Sequence, residues 1–217
     1  MDIRWDWIGN HTDDITRNTV EHLQLVGASL FISIVVSLPI AVLIYRSRPA
    51  IAATTAVSGA LYTIPSLAMF AFLLTIFDIG FWPAVTALVL YSLLILIRNT
   101  VVGLRAIPAP VRAAARGMGL TRTQTLMRVE LPLALPASMA GIRITAVSTV
   151  GIATIAVFIG AGGLGELIYN DGIQRGLFLT PIVVGAVVAT AMAIAIDLIL
   201  VGVERALTPW QRAGSGR

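Results

Sequence analysis

The chain has no cysteine and no lysine, only two histidines, and little charge of any kind. Without cysteine there is no disulfide, no thiolate nucleophile and no thiolate metal site. Without lysine there is no Walker A loop, whose lysine must reach the phosphates, and no Schiff-base chemistry; all fifteen basic residues are arginine. His11 and His22 are isolated, and neither belongs to a cluster of ligands at metal-site spacing. The scattered serines lack the His and Asp partners of an intramembrane hydrolase. Charged residues make up 12% of the chain, against roughly a quarter in soluble domains. Hydrophobic residues make up 57%. A chain of this composition cannot hide its apolar surface from water, and the class is integral membrane. The first twenty residues, MDIRWDWIGNHTDDITRNTV, are acidic and lack a basic stretch ahead of an apolar core, so the first span is expected to serve as its own insertion signal.

A bilayer core needs about 20 apolar residues per helix. Five stretches qualify: about 21–45, 51–77, 81–97, 133–159 and 177–203. The expectation is an all-α, polytopic membrane bundle without internal repeat or soluble domain. It comprises a tail at 1–20, a transmembrane unit at 21–205 with a polar loop at 106–132, and a second tail at 206–217. Arginines favour the cytoplasmic side. Assigning loops alternately puts eleven arginines inside, three outside and Arg143 within a span. The N-terminus is then outside and the C-terminus inside. The sequence pI near 10.3 follows from this topology, which makes nucleic acid an unneeded partner. Trp5, Trp7, Trp82 and Trp210 fall near span ends, where indoles prefer the interface.

The longest polar stretch, RAAARGMGLTRTQTLMRVELPLALP at 112–136, lies on the inside in this topology. Pro108 and Pro110 end what precedes it. Val111, Ala114, Ala115 and Met118 recur on one helical face, and Arg112 with Arg116 share another. Gly117 and Gly119 stop the helix, Gly119 in the position after its C-cap. Thr121 with Gln124 forms a capping-box pattern that starts a second helix. Three readings fit a helix–glycine turn–helix here: a segment lying on anionic lipid, an internal support under the bundle, or a docking helix for a cytoplasmic protein. The alanine-rich face lacks Trp or Phe, which weakens the first.

The same stretch resembles the cytoplasmic EAA loop of ABC importer permeases, whose pattern is roughly Glu-Ala-Ala, three residues, Gly, nine residues, Ile-x-Leu-Pro. Ala114, Ala115, Gly119, Val129, Leu131 and Pro132 match it, whereas Ala113 stands where Glu is usual. TIPSLAMF at 63–70, YSLLILIRNT at 91–100 and IGAGGLGELI at 159–168 are similar to the branch that imports glycine betaine, choline, carnitine and related osmoprotectants. The resemblance implies a type I-like importer permease in a bacterial-type cell membrane. It implies a separate cytoplasmic ATPase dimer that holds ATP and Mg, so that this chain binds no cofactor and is not an enzyme. It also implies an extracytoplasmic binding protein that delivers substrate. Five spans are few to enclose a polar path, so a second permease, identical or related, is expected. Coupling to the ATPase is expected at Val111, Ala113, Ala114, Ala115, Met118, Gly119 and Leu120.

The path or gate is expected at Pro65, Ser66, Arg143, Gly162, Gly163 and Asp197. GAGGLG at 160–165 formally matches G-x-G-x-x-G, but it follows a membrane span and not a strand, so a closely packed turn or an outer gate fits better than a nucleotide site. Arg143 and Asp197 are the charges deepest in spans; they are expected toward the cytoplasmic side, within pairing reach. Pro39 and Pro65 fall within spans one and two, as kinks or as bends along the path. No aromatic cage for a quaternary ammonium is visible among Tyr45, Tyr62, Tyr91 and Tyr169. The competing function is a secondary transporter or channel that couples ions through Arg143 and Asp197; a scaffold that transports nothing is the third.

Overall fold

A computed structural model describes residues 3–210, and no strand occurs among them. Ten α-helices follow one another: α1 (Trp5–Asn10), α2 (Thr12–Ile44), α3 (Arg48–Thr63), α4 (Ser66–Leu73), α5 (Phe81–Ala106), α6 (Ala109–Gly117), α7 (Arg122–Thr125), α8 (Leu131–Ala153), α9 (Gly165–Ile168) and α10 (Leu179–Leu207). A π-helical turn, Leu126–Glu130, joins α7 to α8, and a 3₁₀ turn, Thr154–Ile159, extends α8. Four stretches are long and apolar enough to cross a bilayer; α3 and α4 reach that length and apolarity only together, with a bend of 95° between them.

The second span is therefore broken where a continuous helix was expected. The residue before a proline is driven from helical to extended backbone. Ile64 accordingly has ψ 128°, and Pro65 restarts the chain as the cap of α4. The Ile64 carbonyl left without a helical donor accepts the Tyr91 hydroxyl at 2.6 Å, which is how a bilayer-depth break is tolerated. Pro39, by contrast, lies within an uninterrupted α2. The third span runs nine residues past its expected end, so Arg98 and Arg105 are helical and not in a loop.

Helix α5 sits at the centre, between α2 and α8. The buried residues of α2 form one stripe, Asn18, His22, Leu25, Ser29, Ser33, Ser37 and Ala41, whose small members let the helices approach closely. Of the three serine hydroxyls, Ser33 bonds within its own helix, to the Ser29 carbonyl at 2.6 Å, whereas those of Ser29 and Ser37 are buried without a hydrogen-bond partner. Gly103 of α5 faces Ala134 and Ala137 so closely that a Cβ would lie 2.8 Å from that of Ala137. The remaining apolar surface of α10 faces outward, as lipid requires: Val187, Ile194, Leu198 and Ile199 are all exposed.

The N-terminal segment is folded and not a tail. Helix α1 is followed at once by α2, which begins at Thr12. Trp7 is buried, stacked on His11 and edge-on to Phe178. It leaves the interfacial set expected of the tryptophans, in which Trp5, Trp82 and Trp210 remain exposed. Residues 211–217 of the expected C-terminal tail, with Arg212 and Arg217, lie outside the described residues.

Candidate functional site: a docking segment and a glycine loop at opposite ends

Helix α6 starts at Pro108, with Pro110 in its first turn, where a missing N–H costs nothing. It ends in a Schellman motif: the Leu120 N–H donates to the Ala115 carbonyl at 3.2 Å, and the Gly119 N–H to Arg116 at 2.9 Å. Gly119 has φ +82° with open space where a Cβ would sit. Its backbone angle, and not crowding, calls for glycine. The expected capping box is formed: Gln124 N–H donates to the Thr121 hydroxyl, and Thr121 N–H to the Gln124 side chain. The face drawn from the sequence splits in two. Ala115 is buried, Val111 and Leu120 are half-buried, and Ala113, Ala114, Arg116, Gly117, Met118 and Gly119 are exposed. Away from Arg116, the side formed by Ala113, Ala114, Gly117 and Met118 carries no charge and only small side chains apart from Met118, 74% exposed, its one adaptable projection.

What holds α6 in place is a residue that no motif of the sequence singles out. Glu130, fully buried on the π turn, accepts from the Tyr45 hydroxyl at 2.6 Å, from Arg46 at 3.2 Å and from Arg112 Nε at 2.6 Å. Arg112 also donates to the Leu104 carbonyl at 2.5 Å. One carboxylate thus ties the end of α2 and the helix α6 to the start of α8, and Arg112 extends the tie to the last turn of α5. Burial, and the hydrogen bond donated to Glu130, push the Tyr45 phenol above its ordinary range, so it stays a donor. The available signal was position: Glu130 is the only acid between Arg98 and Pro132.

At the other end of α8, roughly 40 Å away by helix rise, Gly160, Gly162 and Gly163 have φ of +67°, +73° and +84°. The loop packs onto α2. The Gly163 N–H donates to Glu21 at 3.0 Å, and the Leu164 N–H to His22 Nδ1 at 3.3 Å. His22, fully buried, uses its other nitrogen to donate to the Val150 carbonyl at 3.1 Å. That network assigns it the neutral Nε2–H tautomer. A Cβ at Gly162 would come within 2.3 Å of the Glu21 carboxylate. The expected close-packed turn is present, and His22, left unassigned in the sequence, is its anchor. A polar vestibule of about 550 Å³ opens beside the loop, lined by Asp14, Arg17, Glu21, Glu166 and Arg175 among others.

Arg143 and Asp197 pair as expected, in a two-pronged contact at 2.8 and 3.0 Å that joins α8 to α10. Glu204 stands 3.6 Å from the same guanidinium. Both lie well inside their helices. Pro65 is exposed and Ser66 half-buried at the α3–α4 bend, so neither joins the glycine loop or the ion pair. Beside that bend Tyr62 and Tyr91 meet edge to face at 6.0 Å, an aromatic pair that their separation in sequence had concealed. They share a crevice with Ser92, Thr145, Ser148 and Thr149. No metal-binding group of His, Asp and Glu occurs among the described residues.

Residues 28–213 match the family described as "Binding-protein-dependent transport system inner membrane component". Among curated proteins, the chain is 40% identical over 196 residues to the osmoprotectant import permease protein OsmW of Salmonella typhimurium, covering 88% of this chain and 90% of that one. It is 36% identical to the choline transport system permease protein OpuBB of Bacillus subtilis, over 90% of this chain and 89% of that one. Among solved structures it is similar to the MetNI methionine ABC transporter in inward-facing conformations. The TM-score is 0.81 at 26% identity, with 89% of this chain and 96% of that chain covered.

Proposed function

The chain belongs to the binding-protein-dependent transport system inner membrane components, and from that premise we propose that it is the permease of an ATP-driven importer of quaternary-ammonium osmoprotectants such as glycine betaine, choline or carnitine. The observation that carries the coupling half of this reading is the docking segment. A short helix with a smooth, uncharged outer face is clamped by Glu130 to the ends of the spans behind it. A push on such a helix moves the bundle. Its arginine-rich end faces the cytoplasm, with the N-terminus outside and the C-terminus inside. A separate ATPase dimer there binds ATP and Mg and seats α6; this chain hydrolyses nothing. A second permease, identical or related, completes the path. An external binding protein delivers substrate at the glycine-loop end, and no nucleic acid takes part.

The substrate class rests on the printed names of the relatives, osmoprotectant import for OsmW and choline transport for OpuBB. The Tyr62–Tyr91 pair at the α3–α4 bend is suited to it. Aromatic faces attract quaternary ammonium groups, by about 0.5–2 kcal/mol each. A weak contact of that kind suits a path that must release its cargo. The ion-coupled reading loses ground to the Arg143–Asp197 geometry, because each group already neutralises the other.

The test is uptake of labelled glycine betaine and choline into proteoliposomes containing this chain, its ATPase and its binding protein, without an ion gradient. Uptake that requires both ATP and the binding protein is expected. Transport driven only by an imposed proton or sodium gradient overturns the reading.

A further inference from the structure

Behind the docking face of α6 lies a basin of about 650 Å³ whose walls include Arg46, Arg105, Arg112, Arg116, Arg122 and Glu130. Five guanidiniums surround one carboxylate. That carboxylate is already engaged by Arg46 and Arg112. Arg105, Arg116 and Arg122 have no carboxylate partner among the described residues. They come from the last turn of α5, the last turn of α6 and the first turn of α7, so three separate elements point cations at one space. Thr125 lines the same basin; it is 5% exposed, and its buried hydroxyl has no hydrogen-bond partner. A cluster with four positive charges in excess repels itself, and a bound anion relieves that repulsion. Guanidinium forks suit the oxygens of a phosphate in particular.

We propose that this basin is a binding site for a phosphate group. The site does not depend on what the chain transports. Its floor is the end of α2 and α5, where Tyr45 and Arg46 follow the first span and Arg105 closes the third. That is the depth of a lipid headgroup. The uncharged face formed by Ala113, Ala114 and Met118 is turned elsewhere, so a protein can dock on α6 while the basin is filled. A lipid phosphodiester and free phosphate share the recognising chemistry.

The experiment uses the full chain, purified and delipidated, and measures binding of phosphatidylglycerol, phosphatidylcholine and inorganic phosphate by native mass spectrometry and calorimetry. The wild type is expected to retain phosphatidylglycerol or bind inorganic phosphate in preference to phosphatidylcholine. The double variant R105Q/R122Q should weaken that binding about tenfold or more. R105K/R122K should recover part of it, because charge survives while the fork is lost. Both arginines are exposed and unpaired, so an unchanged melting temperature checks that the fold persists. Binding of phosphatidylglycerol alone identifies a headgroup site; binding of inorganic phosphate as well identifies a site open to soluble phosphate. Wild-type binding retained in R105Q/R122Q overturns the proposal. So does a wild type that binds neither probe above phosphatidylcholine, which leaves the basin to an acidic protein surface.

Discussion

Glu130 shows how much one buried charge decides in this chain. It is the common acceptor for Tyr45, Arg46 and Arg112. Its removal leaves a phenol and two guanidiniums facing one another. Breaking a buried pair from one side costs about 3–5 kcal/mol, and the partial exposure of both arginines brings the expectation toward about 2–3 kcal/mol. Glu130→Ala should therefore lower the melting temperature of the purified chain and reduce coupled transport. Gly119 answers to a different constraint. At φ +82° a β-branched residue is strained by about 1–2 kcal/mol, so Gly119→Val should untwist the turn after α6. Membrane insertion should survive while ATP hydrolysis and uptake part company. Gly119→Asn, which tolerates this backbone region, should transport nearly normally. Equal uptake by the two variants would remove the turn from the coupling account.

At the scale of elements, the ion pair between α8 and α10 and the bend at Pro65 make separable claims. Asp197→Asn keeps a neutral acceptor for Arg143 but leaves the more distant Glu204 as its nearest carboxylate, and should lower the melting temperature of the purified chain. The double variant R143M/D197L replaces the pair by apolar groups of similar size, which is often neutral. ATP-driven uptake should persist in that variant; an ion-coupled carrier would lose transport. Much at this scale was legible beforehand. Period and length gave the spans, Thr121 with Gln124 gave the start of α7, and Gly119 gave the end of α6. The Arg143–Asp197 pairing followed from two charges at one depth. What stayed hidden depends on contacts remote in sequence. His22 reaches a loop 142 residues away, Tyr45 meets Glu130 across 85, and Tyr62 of α3 meets Tyr91 of α5 across the contact between the two helices. The broken second span was half legible, since a proline in a membrane helix marks a possible break but not its angle.

Taken whole, the molecule is a bundle with two differently built ends. One carries a clamped helix and an excess of arginine; the other carries a glycine loop locked to α2 by Glu21 and His22. The long spans between them pack against one another around α5, and the bent α3–α4 pair is the one break among them. Such a body suits motion as a unit against a second one, with force applied at α6. The chain's lack of cysteine makes the direct test clean. A single cysteine at Met118, on the outer face of α6, is cross-linked to the ATPase subunit in membranes and compared with one at Trp82, at the other end of the bundle. Docking of the ATPase on α6 requires a cross-link at 118 whose yield changes with ATP, and none at 82. Full ATP-dependent uptake with no cross-link at 118 would contradict it.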